Sequence, residues 1–113
     1  MEGNKQLQWI RELLAHISGV IEKKMFGGIT FMVKGKMCIS VGRDKIMCRI
    51  SPEAHKQAVQ RRGCSTVVMK GRAYLGFVHI NFENLKTKKE IEHWLTMCLE
   101  FNTKAKATKN RKK

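Results

Sequence analysis

Leu7, Ile10, Leu13, Leu14 and Ile17 recur three or four residues apart, with Lys5, Gln8, Arg11 and Glu12 on the opposite side. That spacing predicts an amphipathic helix, capped by Asn4 and stopped at Gly19. Val20–Met25 then reads as a strand, and Gly27-Gly28 bends the chain where a side chain would obstruct positive φ. Ile29–Val33 and Lys36–Val41 form a hairpin across Lys34-Gly35. With a two-residue turn, Met32 faces Met37 and Phe31 faces Cys38. Both faces of this hairpin are then partly apolar, so something must cover each side.

Gly42-Arg43-Asp44 leads into a strand at Lys45–Ile50, whose Ile46, Cys48 and Ile50 face either side depending on loop length. Ser51-Pro52-Glu53 is a helix start: serine caps, proline suits the first helical position, and glutamate complements the positive dipole end. Ala54, Ala58 and Val59 give a modest buried stripe before Gly63 ends the helix. Ser65–Met69 and Ala73–Asn81 read as strands separated by Lys70-Gly71-Arg72. Thr87-Lys88-Lys89-Glu90 is a capping box, after which Ile91, Trp94, Leu95, Cys98 and Phe101 line one helical face. The order is helix, several strands, helix, two strands, helix. Strands joined by short turns imply an α+β domain with a largely antiparallel sheet. Residues 1–103 form this single domain, and residues 104–113 a tail expected to be disordered by itself.

Charge adds a second layer. Lys and Arg number 23 against 9 Asp and Glu, a net charge of +14 in 113 residues. The tail holds Lys104, Lys106, Lys109, Arg111, Lys112 and Lys113 and no acid, which leaves +8 on the rest. Such a chain is drawn to polyanions, DNA or RNA first and an acidic membrane surface or acidic protein second. No apolar run reaches the roughly 20 residues that span a bilayer, and polar residues interrupt the amino terminus where a signal peptide would be continuous. The expected compartment is the cytoplasm, with no membrane partner.

Candidate chemistry is sparse. Cys38, Cys48, Cys64 and Cys98 lack paired C-x-x-C spacing, and His16, His55, His79 and His93 are scattered, so no metal site is expected. Reduced, mostly buried thiols are the reading, although Cys38 and Cys48 lie on strands that pair. Gly27-Gly28 leads into a strand, whereas a phosphate loop leads into a helix. His79 follows Phe77 in an apolar strand with no nucleophile or carboxylate at fixed spacing, and it reads as a core or edge histidine. His55 and His93 read as surface residues of helices. Trp94 and Phe101 belong to a buried stripe, while Trp9, off the main apolar line, covers a sheet edge or serves a partner. No catalytic residue and no cofactor are expected.

The residues Lys24-Met25-Phe26-Gly27-Gly28, then Gly35-Lys36-Met37, then Gly71-Arg72 with Gly76-Phe77-Val78, and the last helix with Trp94, form an ordered set. In that order and spacing the chain resembles the amino-terminal domain of the TfoX/Sxy competence regulators, from about Leu7 to Asn102. The resemblance implies a two-layer domain with three helices against an antiparallel sheet, and no catalytic residues. It further implies a regulatory or accessory role. The full-length regulators promote expression of DNA-uptake genes together with a transcription activator. They carry a second helical domain, where this sequence has its short basic tail. Expected partners are therefore DNA or RNA and a transcription factor or other protein, with a homodimer as a further option. Arg61-Arg62 at a helix end, extended by Lys56, with Lys70, Arg72 and the tail lysines and arginine, are the candidate nucleic-acid contacts. No helix-turn-helix, zinc finger or aromatic-basic motif appears, so such binding should be electrostatic and weakly sequence-selective.

Overall fold

The computed structural model describes residues 4–25 and 27–103, with side chains from Lys5 onward. The Asn4 side chain expected to cap the first helix, Phe26 of the glycine motif and the tail expected to be disordered lie outside what is described. Helix α1 (Asn4–Leu13) precedes four strands, β1 (Val20–Met25), β2 (Gly28–Val33), β3 (Lys36–Val41) and β4 (Lys45–Arg49). Helix α2 (Pro52–Ala58), strands β5 (Cys64–Met69) and β6 (Arg72–Asn81), a 3-10 turn (Phe82–Asn84) and helix α3 (Lys88–Asn102) complete the order. The six strands form one sheet in the order β1-β2-β3-β4-β6-β5, and every neighbouring pair is antiparallel.

One face of the sheet packs against the helices. Phe31, Val33, Ile39, Val41, Ile46, Cys48, Ile50, Val78 and Ile80 meet Ile10 and Leu14 of the α1 region, Ala58 of α2, and Ile91, Trp94, Leu95 and Cys98 of α3. The open register question at β4 is thereby decided: Ile46, Cys48 and Ile50 turn to the helices. Met47 turns the other way and joins Met37 and Val67 in a second cluster, with Met32 and Phe77 packed at its margin. Among the described residues no helix covers that face. Strand side chains alone hold Met37, Met47 and Val67 to 5%, 6% and 1% exposure.

Long-range hydrogen bonds fix the layers against each other. The Gln6 side chain donates to the Leu85 carbonyl at 3.0 Å, tying α1 to the segment before α3. At the other end, Asn102 Nδ2 donates to the Val33 carbonyl at 3.2 Å, and Lys36 Nζ donates to the Asn102 carbonyl at 2.7 Å. On the helix-free face, the buried Thr30 and Ser40 hydroxyls share a hydrogen bond of 2.8 Å across β2 and β3.

Both hairpin turns are Lys-Gly pairs with two positive φ values, 55° and 81° at Lys34-Gly35 and 52° and 76° at Lys70-Gly71. That conformation matches the twist of the flanking strands. Gly28 answers to a different need: a Cβ there would stand 2.1 Å from the Val41 carbonyl oxygen.

Three expectations are corrected. The first helix stops at Leu13, and tight turns carry the chain on to Gly19, whose carbonyl accepts from Lys34 N at 2.9 Å. Met32 does pair with Met37, but Phe31 stands opposite Ile39 because the register shifts between Phe31 and Met32. Cys38 is the residue displaced, and its thiol is drawn inward to a hydrogen bond with Cys98. His55 is not a surface residue. It is 6% exposed, its Nδ1 accepts from the Gly76 N–H at 2.8 Å, and its Nε2 lies 2.8 Å from Thr66 Oγ1. With Nδ1 used as acceptor, Nε2 holds the proton and donates to the threonine.

Two stability effects follow. Gly28→Ala forces β2 away from Val41 and is expected to cost about 1–3 kcal/mol, read as a lower urea midpoint at unchanged slope. His55→Ala leaves the buried Gly76 N–H without its acceptor and is expected to cost about 1–3 kcal/mol in the same assay.

Candidate nucleic-acid interface

Helix α2 stops at Ala58, short of the expected Gly63, which instead fixes the turn between α2 and β5. The Gly63 carbonyl accepts from Asn81 N at 3.1 Å, and a Cβ on this glycine would stand 2.0 Å from Asn84 Oδ1. This close approach sets Arg61 and Arg62 beside the segment that opens α3. There the capping box forms as its spacing predicts: Thr87 Oγ1 accepts from Glu90 N at 3.3 Å, and Glu90 Oε1 accepts from Thr87 N at 3.1 Å. The Glu90 carboxylate also accepts from Lys86 N at 3.0 Å.

Between the two segments opens a cleft of about 690 Å³, lined by Arg61, Arg62, Asn84, Thr87, Lys89, Glu90, His93 and Trp94. Trp94 is its floor at 3% exposure, with the Arg61 guanidinium 5.6 Å from the ring centroid and His93 packed edge-on at 5.3 Å. Burial, and then the Arg61 charge, holds the His93 imidazole below its ordinary value. The one carboxylate in the cleft, Glu90, is turned back onto the helix cap. Among the described residues the two ion pairs, Arg11–Glu22 and Lys88–Glu12, both at 2.9 Å, lie elsewhere. Arg61, Arg62 and Lys89 thus present positive charge into a partly enclosed space with no carboxylate paired to them, which suits a multiply charged oxyanion.

The sequence-derived contacts divide. Arg61 and Arg62 enter the cleft, whereas Lys56 is exposed on α2. Lys70 and Arg72 flank the distal β5–β6 turn, roughly 20 Å along β5 from Arg62 at a rise of about 3.3 Å per residue. Lys104, Lys106, Lys109, Arg111, Lys112 and Lys113 lie outside the described residues. Lys89 and His93 complete the cleft, His93 having been read only as a surface residue of its helix. The capping box placed Lys89 in the first turn of α3, but only the fold brings that turn to the end of α2.

A second hollow of about 140 Å³ on the other side of the sheet is lined by Gly27, Ser40, Gly42, Arg43, Asp44, Lys45, Met47 and His79. His79 is half-buried there, and burial followed by the Lys45 charge lowers its pKa while Asp44 opposes the shift. No hydrogen bond joins His79 to Asp44, and no cysteine lines the hollow. Cys38, Cys48 and Cys98 instead gather beneath α3 as free, buried thiols. Cys98 hydrogen-bonds to both others, and burial pushes its pKa well up. Cys38 is pushed up by its Cys98 hydrogen bond and then by burial, so both stay protonated and unreactive. Among the described residues no group of three His, Cys, Asp or Glu side chains could hold a metal ion. No helix among them is long and apolar enough to cross a membrane.

No curated protein and no solved structure matches the chain. Residues 12–102, from the penultimate residue of α1 to the last residue of α3, match the TfoX N-terminal domain. The match spans the six strands of the sheet, α2, α3 and every glycine motif that carried the resemblance, and takes in the last two residues of α1. With nearly its whole length covered, the chain belongs to the TfoX N-terminal domain family.

Proposed function

We propose that this chain is a cytoplasmic, non-enzymatic regulatory or accessory domain, a transcription co-regulator that contacts nucleic-acid phosphates through the α2–α3 cleft and also engages a protein. The observation that carries the phosphate half is the convergence of Arg61, Arg62 and Lys89 on a cleft whose only carboxylate is committed to a helix cap. The net charge of +14 supplies the long-range attraction that brings a polyanion there. Glu90 already satisfies the first-turn backbone at the start of α3, so side chains and not the helix end would bind the anion. Family membership supports the regulatory role over a second reading, a plain electrostatic nucleic-acid binder, which the charge alone would also favour. The two readings part on the protein partner, which only the first requires.

Binding of full-length chain to duplex DNA and to RNA should weaken steeply with salt. Arg61→Glu combined with Arg62→Glu should flatten the log–log salt slope by roughly one unit for each phosphate no longer neutralised. Binding that is insensitive to salt, or unaffected by the double reversal, would remove the cleft from the interface. A pH profile tests the same site independently. A bound phosphate favours the imidazolium of His93 and raises its pKa. Affinity should therefore grow as pH falls through the bound-state value and level off below the free-state value, which lies under the ordinary ~6.5. His93→Gln should abolish this gain while leaving binding at higher pH nearly unchanged.

A further inference from the structure

The two edges of the sheet are built differently. β1 carries Glu22, Lys23 and Lys24 along its middle, and Arg11 of α1 reaches over to Glu22 at 2.9 Å. Charges of this kind discourage another chain from pairing with an edge. β5 has none: Cys64-Ser65-Thr66-Val67-Val68-Met69 is six residues without charge or proline, in a chain that is 28% charged. Among the described residues it pairs with β6 alone and ends the sheet, so its outer backbone N–H and C=O groups face away from β6. Three of the four large apolar side chains that are exposed among the described residues gather on the same hairpin, the fourth being Ile21 on β1. Val68 is 60% exposed, Met69 38% and Leu75, in the irregular stretch of β6 opposite, 65%.

Cations stand at both ends of this uncharged edge. Exposed Arg62 precedes β5, and exposed Lys70 and Arg72 follow it. A second copy is a poor occupant, since antiparallel pairing of β5 with itself would set Arg62 of each chain beside Lys70 and Arg72 of the other. We infer that the outer edge of β5 receives an extended segment of a partner protein, about six residues with an uncharged, β-branched centre and acidic residues at each end. Main-chain hydrogen bonds would supply the affinity, the exposed valine and leucine would favour apolar side chains, and the two cationic ends would set the register. This names the surface and chemistry of the protein partner in the reading above and rests on that half of the reading; Arg62 alone is shared with the phosphate cleft.

The probe is a fluorescein-labelled peptide, Glu-Glu-Val-Thr-Val-Thr-Val-Glu-Glu, titrated into the full-length chain with anisotropy and amide chemical shifts as readouts. Comparison peptides replace the glutamates by lysines or the central valine by proline. The glutamate peptide should bind roughly tenfold more tightly than the lysine peptide, the combined worth of two exposed ion pairs. The proline peptide should lose binding, and the shifts should fall on β5 and β6. Val68→Glu, and separately Lys70→Glu with Arg72→Glu, should each weaken the glutamate peptide about tenfold. Both variants should keep the wild-type melting temperature, and Val68→Glu should bind DNA as the wild type does. The second variant guards against Val68→Glu acting through folding. Equal binding of the lysine peptide, no binding of the glutamate peptide, or shifts centred on Arg61 and Trp94 would overturn the proposal. So would sedimentation as a dimer that Val68→Glu dissociates, because the occupant would then be a second copy.

Discussion

Ile39, Val41, Ile46, Cys48 and Val78 sit on the three central strands and must be kept from water, and the rest of the fold is arranged around that need. Burying a side chain of this kind is worth about 1.5–3 kcal/mol, far more than any exposed ion pair on this surface. α3 lies over β3 and β4 with Ile91, Leu95 and Cys98 on them, and α1 packs beside it. Hydrogen bonds at both ends then hold this helical layer in place: Gln6 to Leu85 at one, and Asn102 with Lys36 and Val33 at the other. Displacing α3 would therefore open the core and break polar contacts together.

The opposite face meets the same requirement without a helix. Val67 follows the register shift between β5 and β6 and lies with Met37 and Met47, while Met32 and Phe77 close the margin. Methionine suits this task because its unbranched, adaptable side chain fills irregular gaps. Arg49 assists from the side, its guanidinium 5.6 Å from the Phe77 ring and 5.7 Å from the Phe101 ring. The irregularity of β6 has a structural source in Gly76, whose N–H is held by His55 and whose carbonyl accepts from Ile50 N at 2.7 Å. One glycine thus links the start of α2 to the hairpin whose outer edge remains unpaired.

The cleft follows from these same restraints. Helix α2 is pinned through His55, so the turn that follows it is carried to a fixed place beside α3, and the close approach of Gly63 to Asn84 keeps that turn, with Arg61 over Trp94, against the start of α3. A cationic side chain above a buried aromatic ring keeps its charge available while its stem covers apolar surface. Glu90 keeps its own charge in the cleft, but three donors from Lys86 and Thr87 hold one of its oxygens at the helix cap, and three cations outnumber it.

The amino-acid sequence by itself determined what depends on near neighbours along the chain. The spacing of Ile91, Trp94, Leu95 and Cys98 marks α3, Thr87 and Glu90 mark its start, and Lys-Gly pairs mark two hairpin turns. Each of these signals acts over a few residues and is read from side-chain period or turn chemistry alone. Tertiary structure decided the matters in which distant segments meet. Cys38 left its expected pairing because the register shifted and a thiol on α3 lay within hydrogen-bond reach. His55 was taken inward because a backbone N–H, 21 residues further along the chain, needed an acceptor. Arg62 and Lys89 came to share a cleft, while Lys70 and Arg72 went to the far end of β5. A helical period says which residues share a face, but not what that face meets, since the meeting partner is chosen by the packing of the whole core.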